Sequence, residues 1–234
     1  MKALLLAAGE GTRLRPITND IPKCMVPIHG KPLLSYWIDL LVGAEIEKIL
    51  INTHYLSQVV VSYIDSLGLG DQIELVHEKK LLGTGGTIFA NRDFFGSESF
   101  MVVHADNLSR FNVGEFLDSH RLRPQGSKIT MMTFSTDSPS SCGIVICDKE
   151  GLVTEFYEKK VNPPGNLANG AVYIIDVDVV DFISALPEKK YPLDFSSTVL
   201  PHFIGEINTF HNCQFHRDIG TPESYRLAQL TYGL

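Results

Sequence analysis

The sequence predicts an α/β fold, with a mostly parallel sheet flanked by helices and an inserted strand-rich portion. Three observations predict it. Apolar, strand-like runs alternate with helix-like stretches through the first half of the chain. In the second half strand-like segments follow one another with few helices between them. The chain has 234 residues, 44% apolar and 20% charged, which is ample for a sizeable core and argues against disorder.

Each element follows from its pattern. Residues 2–8 form a continuous apolar run ending in Gly9, as expected of a strand buried on both faces. Residues 31–43 place Leu33, Leu34, Trp37, Leu40 and Leu41 at helical spacing and stop at Gly43. Strand 46–53, helix 55–67, strand 72–78, helix 85–95 and strand 100–105 complete the alternation. Strands separated by helices imply right-handed crossovers and a mostly parallel sheet. Beyond it, residues 128–135, 143–147, 152–159 and 171–176 read as strands. Asp148-Lys149-Glu150-Gly151 reads as the hairpin turn between two of them, and residues 161–166 as a loop. Helices are expected at 177–185 and 195–204, a strand at 207–215, and a last helix from Pro222.

Bulk properties narrow the function classes. The net charge of −7 disfavours nucleic acid as a partner, and no apolar run approaches the ~20 residues of a membrane span. The N-terminal run is too short for a signal peptide and leads straight into a charged, Gly-rich segment. Four cysteines (Cys24, Cys142, Cys147, Cys213) show no CxxC pair, so a cytoplasmic protein is expected. Against the acidic average, residues 1–31 hold five basic side chains and two acidic ones, an opening suited to anions.

That opening is Gly9-Glu10-Gly11-Thr12-Arg13-Leu14-Arg15-Pro16, followed by Pro22-Lys23-Cys24-Met25-Val26-Pro27. Glycines directly after a strand let backbone N–H groups approach phosphate oxygens. Leu14 and Pro16 exclude the dinucleotide-binding fingerprint, and no Gly-Lys-Ser/Thr closes a Walker A loop. The plainer alternative is a turn carrying solvated charges.

The two segments together resemble the signature of the sugar-phosphate nucleotidyltransferases, the nucleoside-diphosphate-sugar pyrophosphorylases. The resemblance implies a single domain over residues 1–234 with a Rossmann-like sheet. Its nucleotide-binding half would cover 1–108 and its sugar-phosphate-binding half 109–234. It implies that Ala8, Gly9, Gly11 and Thr12 wrap the triphosphate, that Arg13 steadies the pyrophosphate leaving group, and that Lys23 contacts the reacting phosphates. Arg and Lys suit phosphoryl-type chemistry, which is catalysed by positioning and charge neutralisation.

Further motifs follow in matching order. Glu78 and Leu82-Gly83-Thr84-Gly85-Gly86 resemble the family segment that lies against base and ribose; taken alone, the latter is a helix-starting loop. Asp106, ending an apolar strand, and Asp218, between a strand and a helix, match the family's metal-binding aspartates and imply Mg²⁺. Asp218 also suits a helix N-cap. Ala105 stands where the family usually has Gly, and His104 before it reads as a structural neighbour, since an anionic sugar phosphate needs no base. Gly143, Glu158, Lys159 and Asn169 match the sugar 1-phosphate contacts: space, hydroxyl binding, phosphate binding and a sugar-facing amide. On their own, a Glu-Lys pair is an ordinary solvated edge.

In residues 211–218 His211, Cys213, His216 and Asp218 are metal-ligand types. On one strand the first two face away from the last two, so a shared zinc site is not expected. The implied reaction is Mg²⁺-dependent nucleotidyl transfer from an NTP to a sugar 1-phosphate, releasing pyrophosphate, with Arg13, Lys23 and Asp106 catalytic. The motif around Glu78 most resembles guanylyltransferases acting on mannose or heptose 1-phosphate. Cytidylyl, uridylyl or thymidylyl transfer, or a non-catalytic sugar-nucleotide-binding subunit, are the alternatives. A homodimer is common among such proteins. With the sequence ending at Leu234, the C-terminal left-handed β-helix of some relatives is not expected.

Overall fold

The computed structural model describes residues 1–187 and 191–233. Its contacts divide into two compact units. The first comprises residues 1–81, 103–111 and 214–234, and the second residues 82–102 and 112–213. No helix among the described residues is long and apolar enough to cross a membrane.

The first unit is built on parallel strands β1 (Lys2–Leu6), β4 (Lys48–Thr53) and β5 (Ile73–His77), with β4 in the middle. Ala3, Leu4 and Leu5 are wholly buried, as a strand covered on both faces requires. A short ribbon, β2 (Pro27–Ile28) with β3 (Lys31–Pro32), leads into α1 (Leu33–Gly43). In that helix Ile38 rather than Leu40 completes the buried stripe with Leu33, Leu34, Trp37 and Leu41. Helix α2 (Ser57–Leu67) follows β4 and ends at Gly68 in the left-handed conformation.

The second unit opens with α3 (Thr84–Ala90) and α4 (Arg92–Phe95), where one helix is expected. The break falls at Asn91, whose side-chain amide donates to Thr87 O at 2.8 Å and so competes with the backbone ladder. Strand β6 (Phe100–His104) starts in this unit and ends in the first, where Ala105 N donates to Leu6 O beyond its end.

Returning to the first unit, the chain makes β7 (Asn107–Arg110), and it re-enters the second at α5 (Val113–Arg121); neither element was expected. Strands β8 (Ile129–Ser135), β9 (Gly143–Cys147), β10 (Val153–Glu158) and β11 (Leu167–Ile175) form the antiparallel, strand-rich portion. Asp148–Gly151 is the β9–β10 turn: Asp148 Oδ1 accepts from the N–H groups of Glu150 and Leu152, both at 2.9 Å. After α6 (Val177–Ala185), the helix expected at 195–204 is instead a π-helical turn, Phe195–Val199, running into a 3-10 turn, Leu200–Phe203. Pro201 lacks the N–H that a continuous α-helix would use.

The strand expected at 207–215 is two strands. Strand β12 (Ile207–His211) pairs in parallel with β8 in the second unit, while β13 (Phe215–Asp218) pairs antiparallel with β7 in the first. The single-strand premise for residues 211–218 is thereby corrected. Helix α7 (Pro222–Thr231) is the last element.

Candidate active site

In the first unit the β7–β13 ribbon does the positioning. Its register sets Asp218 opposite Asn107, so Asp218 and Asp106 emerge side by side although 112 positions separate them in the chain. Trp37 Nε1 donates to Asn107 O at 2.7 Å and fixes the ribbon to α1. Underneath, Leu14, Val26, Ile28, Leu33, Leu108, Ile219 and Ala228 form one fully buried cluster that anchors the basic opening segment, the ribbon and α7 together.

Lys23 lies between the two carboxylates. Its Nζ donates to Asp106 Oδ2 at 2.9 Å and to Asp218 Oδ1 at 2.8 Å. The Lys23 side chain is 5% exposed, whereas those of Asp106 and Asp218 are 37% and 51% exposed. Burial opposes both charged forms. It is outweighed at Lys23 by the two carboxylates, which raise the ammonium above its ordinary range. At Asp106 it is outweighed by Lys23 and then His104, which hold that carboxyl low. Arg13 Nη2 stands 3.6 Å from Asp218 Oδ2 with its side chain largely in solvent.

Glycine is required at Gly11, while Gly220 lies against the ends of two flexible side chains. Gly11 has φ +63°, and a Cβ there would fall 2.9 Å from Lys23 Cβ, so the loop closes directly on the lysine stem. The Thr18 hydroxyl donates to Gly11 O at 2.8 Å and holds that turn. A Cβ on Gly220 would fall 2.8 Å from Arg13 Nη2 and 2.9 Å from Asp218 Oδ1. Gly220 N also donates to that oxygen, at 2.8 Å. The N-cap alternative for Asp218 is corrected: the cap of α7 is Thr221, whose hydroxyl accepts from Ser224 N.

Glu78, directly after β5, is buried and accepts a 2.9 Å hydrogen bond from Asn52 Nδ2. Asn52 Oδ1 in turn accepts from Ala7 N at 2.7 Å, next to Ala8 and Gly9. One buried amide therefore ties the glycine loop to Glu78. Sequence patterning concealed Asn52 inside an apolar strand. Burial pushes His216, inside the ribbon, down to about 4, and its Nδ1 lies 2.6 Å from the Ser109 hydroxyl. Ala105 is wholly buried.

In the second unit Gly83-Thr84-Gly85-Gly86 packs against the chain at Leu193. The N–H groups of Gly85 and Gly86 both donate to Leu193 O, and the Thr84 hydroxyl accepts from Phe195 N at 2.7 Å. These glycines are thus demanded first by their own packing. The four residues matched to sugar phosphate gather at one end of the strand-rich portion. Gly143 pairs with Glu158 across β9 and β10, and Lys159 N donates to Cys142 O at 3.1 Å. Lys159 Nζ lies 3.4 Å from Glu158 Oε1 and is well exposed. Asn169 sits on β11 beside Ala168, the partner of Ile144 on β9. Its amide accepts from Ala171 N and donates to the buried Tyr173 hydroxyl at 2.7 Å.

The arrangement can neutralise closely spaced anions. Two carboxylate oxygens within hydrogen-bond reach of one nitrogen also form a hard, oxygen-only donor pair, the set that Mg²⁺ takes alongside phosphate oxygens. The family model described as Nucleotidyl transferase matches residues 2–233. The chain is similar to mannose-1-phosphate guanylyltransferase of Mycobacterium tuberculosis, 32% identical over 95% of this chain and 62% of that protein. A UTP–glucose-1-phosphate uridylyltransferase, AglF of Haloferax volcanii, is 32% identical over 74% of this chain and 71% of its own. The chain spans about three-fifths of the length of the mannose-1-phosphate guanylyltransferases it matches. Among solved structures, a glucose-1-phosphate thymidylyltransferase from Bacillus anthracis shares the fold, with TM-score 0.88 and 22% identity over 98% of this chain and 94% of that one. HddC from Yersinia pseudotuberculosis, solved in complex with GMP-PN, has TM-score 0.80 and 26% identity over 98% of both chains. With a family model spanning nearly all of its length, the chain belongs to the nucleotidyl transferase family.

Proposed function

We propose that the protein transfers a guanylyl group from GTP to a mannose- or heptose-type sugar 1-phosphate, giving an NDP-sugar and pyrophosphate. The observation that carries the reaction class is the buried Lys23 ammonium held between Asp106 and Asp218. The sugar phosphate oxygen attacks the α-phosphorus, the bond to the β-phosphate oxygen breaks, and pyrophosphate leaves with that electron pair. Two anions must meet, so charge neutralisation is the main demand. Lys23 neutralises the α-phosphate, Arg13 the departing pyrophosphate, and the loop of Ala8, Gly9, Gly11 and Thr12 wraps the triphosphate. Glu78, Gly83 and Thr84 bind the nucleoside. Glu158 and Asn169 hold sugar hydroxyls, Lys159 the sugar's phosphate, and Gly143 leaves room for the ring. Asp106 and Asp218 would hold Mg²⁺, which supplies charge stabilisation at the reacting phosphates.

Relatives named as guanylyltransferases and the HddC complex with GMP-PN support guanine as the base. The Haloferax relative favours a second reading, uridylyl transfer to a hexose 1-phosphate. The cysteines form no disulfide, which supports a cytoplasmic setting. The test is a matrix of four NTPs against hexose and heptose 1-phosphates, scored by pyrophosphate. Turnover confined to GTP with mannose- or heptose-type acceptors is expected. Preference for another base rejects guanine, and no turnover with any pair leaves the non-catalytic binding subunit.

A further inference from the structure

Where β4 ends, the chain touches both ends of the glycine-rich opening and Glu78 as well, all within the first unit. Asn52 Oδ1 accepts from Ala7 N at 2.7 Å, where the opening begins, and Asn52 Nδ2 donates to Glu78 Oε1 at 2.9 Å. Further along, the Tyr55 hydroxyl is shared between the carbonyls of Thr18, at 3.1 Å, and Asn19, at 2.9 Å, on the far side of the opening. Between them His54 Nδ1 lies 2.7 Å from Glu78 O and so carries its proton there, since a carbonyl can only accept. We propose that Asn52 and Tyr55 are positioning residues that hold the triphosphate loop from its two ends, and that Asn52, by also holding Glu78, makes base and triphosphate bind cooperatively. The inference rests on the reading of residues 8–12 as the triphosphate loop and of Glu78 as a nucleoside contact.

The Asn52 amide admits one orientation. An N–H group faces one side of it and a carboxylate the other, so its oxygen must point to Ala7 and its nitrogen to Glu78. Ala7, Asn52 and Glu78 are all buried, where water does not replace a lost hydrogen bond. A shift of the Glu78 carboxylate is therefore passed through the amide to the N–H at the head of the loop. The far end is tied through Thr18, whose hydroxyl donates to Gly11 O at 2.8 Å. Tyr55 holds that turn from outside and is itself only half-buried. Leu56, next in the chain, has φ +48° and ψ +39°, a left-handed conformation unfavourable for leucine. Strain of this kind persists where neighbouring contacts over-determine the backbone, and the two Tyr55 bonds are such contacts. A base that orders Glu78 thus orders the loop for the phosphates, and phosphates that order the loop set Glu78 for the base. Linkage requires the two effects to be equal.

The test is calorimetry on the full chain with Mg²⁺ present, titrating guanosine, tripolyphosphate, and each in the presence of the other. In wild type each ligand should tighten the other by about fivefold or more. In Asn52→Asp two carboxylates meet and the bond to Glu78 is lost, so the mutual tightening should vanish and tripolyphosphate alone should bind about threefold more weakly or worse. The exchanged pair, Asn52→Asp with Glu78→Gln, restores that bond with donor and acceptor reversed and should return tripolyphosphate to its wild-type affinity. General damage to the fold would not be repaired by a second substitution of this kind. Tyr55→Phe should weaken tripolyphosphate by about threefold, the worth of one hydrogen bond, and leave guanosine alone unchanged. Should Asn52→Asp not fold by circular dichroism, Asn52→Ser takes its place in the coupling measurement. Independent binding of the two ligands in wild type, or full mutual tightening in Asn52→Asp, overturns the proposal. Tightening with another nucleoside but not guanosine rejects guanine as the base and upholds the coupling. Failure of every nucleoside to bind beside tripolyphosphate removes the nucleotide reading of this end and the proposal with it.

Discussion

Lys23 in the first unit and Asp176 in the second are both charged side chains taken out of water, and both are held by several partners. Asp176 accepts from Ser99 Oγ at 2.7 Å and from Arg123 Nη2 at 2.8 Å, and His120 Nε2 lies 3.3 Å away. Its partners point inward: the Arg123 and His120 side chains are 24% and 4% exposed. The two carboxylates on Lys23 are instead open to solvent on their outer sides. A buried charge whose partners face inward can only hold the fold. One whose partners face outward can trade them for a ligand. Burial and ion pairing alone do not separate the two cases.

The largest expected effect tests the outward-facing case. Lys23→Ala removes a preorganised donor from the phosphates, and such donors are typically worth ~3–4 kcal/mol in the transition state. Its kcat for pyrophosphate release should fall by about two orders of magnitude or more. Wild-type turnover in that variant would place Lys23 beside Asp176 as a structural charge and erase the contrast.

Asp176→Asn comes next and should do the opposite, lowering stability while leaving kcat alone. Burial by itself would raise the Asp176 carboxyl, but His120, Ser99 and Arg123 hold it at about 2, below its ordinary 3.8. A depressed carboxylate contributes stability that is fully present above its unfolded value and lost as pH falls through its folded one. That stability, on the order of 2 kcal/mol, should therefore be present at neutral pH and drain away as pH falls from about 4 to about 2. Denaturant unfolding across this range should show a flatter acid limb in Asp176→Asn. An unchanged limb would mean that the pairing adds nothing to folding.

The sequence made the parallel strands legible because continuous apolar runs report burial on both faces. It hid the ribbon that builds the site. Residues 107–110 alternate too weakly to read as a strand, β7 pairs only with β13 among the described residues, and no hydropathy change marks the break at residues 212–214. Asp106 and Asp218 were found through a family resemblance, while their convergence comes from the ribbon's register. Helix α5 carries a usable mark in the sequence, Asn112 three residues before Glu115. Asn112 accepts from Glu115 N and its amide donates to Glu115 Oε1, a capping pair three residues apart. Asn52 and Gly220 carry no pattern of their own. Their importance comes from what folding brings against them: the Ala7 N–H and Glu78 carboxylate in one case, Arg13 and Asp218 in the other.

The smallest effect concerns a third arrangement, in which a charged group is shaped by space rather than by ion pairing. Gly143 and Glu158 face each other across β9 and β10, and a Cβ on Gly143 would fall 2.7 Å from Glu158 Oε2 and 2.8 Å from two atoms of the Phe156 ring. Such contacts are too close to persist, so in Gly143→Ala the carboxylate and the ring must shift. The backbone conformation of Gly143 is one that alanine adopts, and the carboxylate is the far end of a flexible side chain, so the fold should survive with little loss. If Glu158 holds sugar hydroxyls, KM for the sugar 1-phosphate should rise by about tenfold, roughly 1.4 kcal/mol of lost binding, with KM for the NTP unchanged. Initial rates with each substrate varied in turn give both constants. A rise in the NTP constant instead would assign the Gly143–Glu158 pair to the nucleotide. No change in either would leave this exposed end of the second unit as solvated surface, with the buried lysine of the first unit bearing the chemistry without it.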